Sequence, residues 1–129
     1  MSRVAALQQW AADRTEELPG AYLDHPFGPE ADIFKIRGKV FMLHSQLDGT
    51  PIVTLKAAPS DSEALREAFP EIAPGYHMNK RHWITLRPGA SLTRQLVEDL
   101  VTESYLLVIE KALPKREWPV DPQTFGRAP

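Results

Sequence analysis

The chain has 129 residues, 43% of them apolar and 25% charged, with a formal net charge of −2. These values describe one soluble globular domain with no overall attraction to nucleic acid or to anionic membranes. No cysteine is present, which excludes disulfides, thiolate metal sites and cysteine nucleophiles; no run reaches the ~20 apolar residues of a membrane span, and residues 1–20 lack a signal-peptide core, so a cytoplasmic protein is the expectation.

In chain order, Ser2 is placed to cap a first helix in which Val4, Leu7, Trp10, Ala11 and Leu18 recur at helical spacing, and Pro19-Gly20 ends it. Residues 21–32, AYLDHPFGPEAD, read as an irregular connector with two prolines and a glycine. The period then changes to two. Residues 32–37 set Phe34 and Ile36 on one face against Lys35 and Arg37 on the other, and Gly38-Lys39 makes a turn. Residues 40–45, VFMLHS, form a second strand, Asp48-Gly49 turns the chain again, and residues 52–56, IVTLK, form a third. Ser60 and Glu63 match a capping box ahead of a second helix, whose Leu65, Ala68 and Phe69 can face the sheet before Pro70 stops it. A short strand near residues 76–78, a turn at 79–81 and a strand over 82–87 follow. Pro88-Gly89 breaks that strand. Ser91 is placed to cap the longest helix, with an apolar stripe through Leu92, Leu96, Val97, Leu100, Val101, Leu107, Val108 and Ala112 that ends at Pro114. The tail, residues 116–129, is proline-rich and expected to be irregular, with Trp118 available to pack back over the domain.

The order α-β(3)-α-β(2)-α predicts a two-layer α+β domain over residues 1–115, with a five-stranded antiparallel sheet packed against helices on one face. The other face is left open to a partner.

Three segments carry a family resemblance: LPGAYLDHPFGPEADIFKIRGKVFML, PGYHMNKRHWITL and the long final helix. Together they resemble the MmcQ/YjbR family over about residues 3 to 115. That resemblance implies the same α-β(3)-α-β(2)-α fold, shared in outline with secretion-chaperone-like proteins. It also implies DNA binding through a double-wing motif, a label that itself rests on shape.

The residues supply a physical counterpart to the wings. Two hairpin tips are basic, Arg37-Gly38-Lys39 and Asn79-Lys80-Arg81, whereas Asp48-Gly49 is acidic. A tip carrying Lys or Arg can touch phosphate or enter a groove. Lys35, Arg37, Lys39, Lys80 and Arg81 are the candidates for phosphate, and His77, Asn79 and His82 for positioning them or reaching a base edge. Strand order decides whether the tips share one end of the sheet or lie at opposite ends, and the sequence leaves both arrangements open. Each basic tip also has a plain reading as a solvated turn, and Asn79 suits a left-handed turn position for purely structural reasons.

The histidines do not form a metal pattern. A two-residue loop at 80–81 would pair Asn79 with His82 and put His77 and His82 on one face, but Lys80-Arg81 suits the positive φ of a primed turn poorly. The favoured three-residue turn at 79–81 pairs Met78 with His82 and sends the histidines to opposite faces, and no ligand spacing matches zinc. No metal and no cofactor are therefore expected. Tyr76, His77, Asn79, Lys80 and Trp83, with Asp24 and His25, could line a catalytic pocket, but no GxSxG, P-loop or Rossmann fingerprint accompanies them. A non-enzymatic binding role is favoured. The alternative to DNA is a protein or small anionic ligand held on the open sheet face or in a pocket around the 74–83 hairpin. Tyr76 and Trp83 alternate with polar neighbours, so at least one of the two rings is expected to pack under the final helix.

Overall fold

The computed structural model describes residues 3–26, 28 and 31–126, with backbone alone at residues 3–5. The expected Ser2 cap, the Val4 side chain and Phe27 of the connector lie outside the described residues. Helix α1 (Arg3–Thr15) is followed by strands β1 (Ala21–Asp24), β2 (Asp32–Ile36), β3 (Lys39–Leu47) and β4 (Thr50–Lys56). Helix α2 (Pro59–Ala68), strands β5 (Ile72–Pro74) and β6 (Trp83–Leu86), helix α3 (Arg94–Ala112) and a 3-10 turn (Lys115–Glu117) complete the order.

The α+β class is as expected, but the antiparallel sheet has six strands in the order β1-β2-β3-β4-β6-β5, not five. The sixth is β1, in the segment read as connector. AYLD lacks a clean alternation, and it becomes a strand because it pairs along β2 from Ala21↔Ile36 to Asp24↔Ile33. The fourth predicted strand also moves. Residues 76–78 are loop, and the strand is Ile72–Pro74, with Pro74 opposite Ile84. Proline is tolerated there because β5 is an edge strand.

Both tight turns of the β2–β3–β4 meander are primed. Arg37-Gly38, not Gly38-Lys39, closes the first, with φ of 50° and 81°, and Asp48-Gly49 closes the second, with φ of 50° and 80°. Positive φ at both centres matches the right-handed twist of the flanking strands. Between the two turns the β2–β3 register shifts at Phe34/Lys35, so that Val40 and Met42 find partners and Phe41 is the extra residue. A bulge of this kind lets two consecutive side chains share a face, and Phe41 and Met42 are both fully buried in the core.

The core lies between one sheet face and helices α1 and α3. Phe34, Ile36, Met42, Val53, Leu55, Ile84 and Leu86 meet Leu7, Ala11, Val97, Val101, Tyr105, Val108 and Ile109 there. Glu98 of α3 is buried with cationic partners: Arg14 Nη2 of α1 lies 3.4 Å away and Arg94 Nε also 3.4 Å. Removing both partners would strand a buried charge.

The helix starts differ from the capping expectations. Ala58, extended at φ −65° and ψ 144°, precedes Pro59, which opens α2, and no side chain caps it. The fixed φ of proline suits the first helical position and holds the preceding residue extended, so α2 starts ahead of the Ser60 box. Thr93, not Ser91, caps α3, its Oγ1 accepting from Leu96 N–H at 3.2 Å. In the tail, Trp118, Val120 and Phe125 pack against the core, and Trp118 Nε1 donates to the Leu113 carbonyl at 3.0 Å.

Candidate nucleic-acid interface

Strand direction places the basic tips. β2 runs toward the Arg37-Gly38 turn, β3 returns, and β4 runs back to the same end. β6 descends from that end beside β4, and β5 ascends to it. The β2–β3 turn and the β5–β6 loop therefore emerge at one end of the sheet, and the acidic Asp48-Gly49 turn lies at the other. Measured from the middle of the β2–β3 hairpin to the middle of the β5–β6 hairpin, the roots of the two tips are three strand spacings apart, about 14 Å. Lys56, the last residue of β4, reaches the same end between them, with Nζ 5.5 Å from the centroid of the Trp83 ring. Lys56 is not among the residues expected at the site; its one signal in the sequence is a cation closing a strand.

The β5–β6 connection is not the three-residue hairpin expected. No Met78–His82 pair forms. Residues 75–82 make two consecutive tight turns instead, closed by Met78 N–H to the Gly75 carbonyl at 3.4 Å and His82 N–H to the Asn79 carbonyl at 3.3 Å. Lys80 Nζ donates to the same Gly75 carbonyl at 2.6 Å and ties the two turns together. Asn79 Oδ1 accepts from Arg81 N–H at 2.9 Å and from His82 N–H at 3.3 Å. Asn79 thus serves the turn with its side-chain oxygen, a role its chemistry favours. His77 sits at φ 59°, a backbone region uncommon for a non-glycine residue, and its ring lies 3.9 Å from that of Tyr76, centroid to centroid.

The eight candidates divide by environment. Arg37, Lys39, Arg81 and His82 are exposed at the shared end. Lys80 is exposed but anchored through its ammonium. Lys35 is half-buried on β2 and pairs with Asp24 of β1, Nζ to Oδ2 at 2.8 Å. The ammonium of Lys35 holds the Asp24 carboxyl below its usual range, and Asp24 holds Lys35 above its own. Among the described residues this is the one ion pair made by a candidate cation. Asp24 and Asp32 thus bring carboxylates onto the sheet, and Asp32 Oδ1 meets His25 Nε2 at 2.7 Å.

The loop also bends over the sheet face that carries no helix. Ile84 points into the core, so alternation sends Trp83 to the opposite face, and neither Trp83 nor Tyr76 packs under α3. A groove of about 680 Å³ lies there, lined by Leu43, Ser45, Thr54, Tyr76, His77 and Met78 among others. Thr54 Oγ1 shares a hydrogen bond with Thr85 Oγ1 at 3.2 Å, and Thr85 Oγ1 accepts from Tyr76 N–H at 2.8 Å. Leu43, Ser45 and Thr54 were not foreseen as site residues; their signal was alternate strand positions facing away from the core. Among the described residues no cluster of three or more potential ligands could hold a metal ion, and no helix is long and apolar enough to cross a membrane.

Comparison with known proteins agrees with this architecture. The YjbR family model matches residues 16–107. The chain is 46% identical over 112 residues to YbdF of Escherichia coli O157:H7, covering 87% of this chain and 91% of that protein. It is 32% identical over 76 residues to YjbR of Escherichia coli K12, covering 59% and 64%. Among solved structures it resembles the Deinococcus radiodurans protein DR2400, which carries a DUF419 domain, with a TM-score of 0.75, 34% identity and coverage of 81% of this chain and 80% of that one. A Pseudomonas syringae protein matches with a TM-score of 0.65 and 27% identity over 78% of this chain and 96% of that one.

Proposed function

The chain belongs to the YjbR family, and from that premise we propose that it binds nucleic acid through the end of the sheet that carries the two basic tips. The observation that supports this most is the common end: Arg37 and Lys39 on one tip and Lys80 and Arg81 on the other lie at one end of the sheet. Their separation of about 14 Å compares with the ~12 Å width of the DNA major groove, so one duplex can meet both tips. Arg37 adds a second argument. It holds a positive-φ turn position at which asparagine, aspartate or glycine is the usual choice, so its side chain is not there for the sake of the backbone.

The contribution of each candidate follows from its surroundings. Arg37, Lys39 and Arg81 are the free phosphate contacts. Lys80 presents charge from a fixed position. Lys35 is largely neutralised by Asp24, and Asn79 is occupied by its own turn. Four cations on phosphate give a salt slope of about −3 to −4 on duplex DNA. With a net charge of −2 on the chain, binding is modest and strongest at low salt.

The test is fluorescence anisotropy of a short labelled duplex against salt concentration. Binding at low salt is expected, and Arg37→Ala with Lys39→Ala, or Arg81→Ala alone, should weaken it and flatten the slope by about one unit per lost contact. Absence of binding at low salt, or a slope indifferent to these substitutions, overturns the proposal.

A further inference from the structure

We propose that the groove beneath Tyr76 and His77 is a subsite for one unpaired nucleobase, so that the preferred ligand is a single strand. The inference rests on the nucleic-acid reading above and names the form of ligand the same surface takes. The groove's volume of about 680 Å³ falls within the range of small-ligand clefts. Its walls are of two kinds. The Tyr76 and His77 rings, 3.9 Å apart centroid to centroid and inclined at 43°, pack on one another and leave an outer ring face of the sort on which any base can stack. Leu43, Ser45 and Thr54 of the open sheet face form the floor. The Thr54 hydroxyl is already shared with Thr85, and Ser45 and Gln46, on the neighbouring strand, are the further polar residues of the lining that can meet a base edge.

Charge determines what else the occupant carries. The loop that holds the ring pair holds Lys80 and Arg81 three and four positions beyond His77. A base in the groove therefore leaves its own or its neighbour's phosphate beside two cations. A paired base cannot enter without being extruded from its stack, which costs free energy that a single strand does not pay. The left-handed backbone of His77 holds the imidazole against Tyr76 in advance of binding.

The experiment compares a labelled oligothymidylate with a duplex of the same length by anisotropy, for the wild type and for Tyr76→Leu, His77→Gly and Arg81→Ala. Glycine favours the backbone region that His77 occupies, so His77→Gly keeps the turn and reads the ring alone. The single strand is expected to bind more tightly than the duplex. Tyr76→Leu and His77→Gly should each lower single-strand affinity about tenfold, the effect of one stacking contact, and leave duplex affinity unchanged. Arg81→Ala should weaken both. Ring substitutions that leave single-strand affinity unchanged, with Arg81→Ala still weakening binding, overturn the base subsite and spare the basic-tip reading. No binding of either strand at low salt overturns both.

Discussion

Gly75 and Trp83 meet at the root of the β5–β6 loop with no room for a side chain between them. Gly75 N–H donates to the Trp83 carbonyl at 2.9 Å, and a Cβ on Gly75 would stand 2.6 Å from Trp83 Cβ and 3.1 Å from its carbonyl carbon. Lys80 Nζ binds the Gly75 carbonyl from the far side of the loop. One residue without a side chain thus sets where both the basic tip and the ring pair lie.

Gly75→Ala is therefore expected to destabilise the fold by about 1–3 kcal/mol, the cost of overpacking against atoms that cannot rotate away. Urea denaturation measures it. An unchanged midpoint would show that the loop can shift without loss.

The acid limb of stability should report His44. The imidazole is buried beside Phe34, with ring centroids 4.7 Å apart, and Nε2 has no hydrogen-bond partner among the described residues. Burial pushes its pKa from 6.5 down to about 4, while Asp32, opposite it on β2, pulls weakly the other way. Between these values the unfolded chain binds a proton that the folded chain refuses. The His44 contribution is then complete above pH 6.5 and lost as pH falls toward 4, by about 3 kcal/mol in all. His44→Leu should flatten this limb and cost nothing at neutral pH, because it removes an unpartnered buried nitrogen. Urea midpoints collected between pH 4 and neutrality decide it; an equally steep limb in the variant would assign the protons elsewhere.

Asp24→Asn should release Lys35. The pair lies on the open face of the β1–β2 ladder, with Asp24 opposite Ile33 and so drawing the Lys35 ammonium away from the Arg37-Gly38 turn, and the amide keeps the shape of the carboxylate without its charge. Affinity for nucleic acid should rise and its salt slope steepen by up to about one unit, with folding at neutral pH little changed. Anisotropy at two salt concentrations is sufficient. Unchanged affinity would place Lys35 outside the contact surface.

Tyr105→Phe tests the join between α3 and the segment that links α1 to β1. The Tyr105 ring is fully buried and its hydroxyl donates to the Pro19 carbonyl. Losing that bond should cost about 1 kcal/mol. Burial also pushes the Tyr105 phenol up to about 12, so an alkaline absorbance titration of the wild type should show a late step that the variant lacks. Survival of the step in the variant would show that it does not belong to Tyr105.

The sequence alone determined what short-range preferences can set. Alternation of Phe34 and Ile36 with Lys35 and Arg37, and Asp48-Gly49 at a primed turn, were enough to read the meander, because dihedral preference and side-chain period act over a few residues. The stripe from Leu96 to Val108 was enough for α3. The identity of the basic tips was legible as charge. Tertiary structure alone decided the rest. AYLD became a strand only through its ladder to β2, and the three-residue β5 was too short to show a period. The pairing of Lys35 with Asp24 spans 11 positions, and Leu43 meets His77 in one groove only after the loop closes over the sheet. These contacts depend on strand order and on loop closure, which are settled by burying the common core and leave no local trace in the residues they bring together.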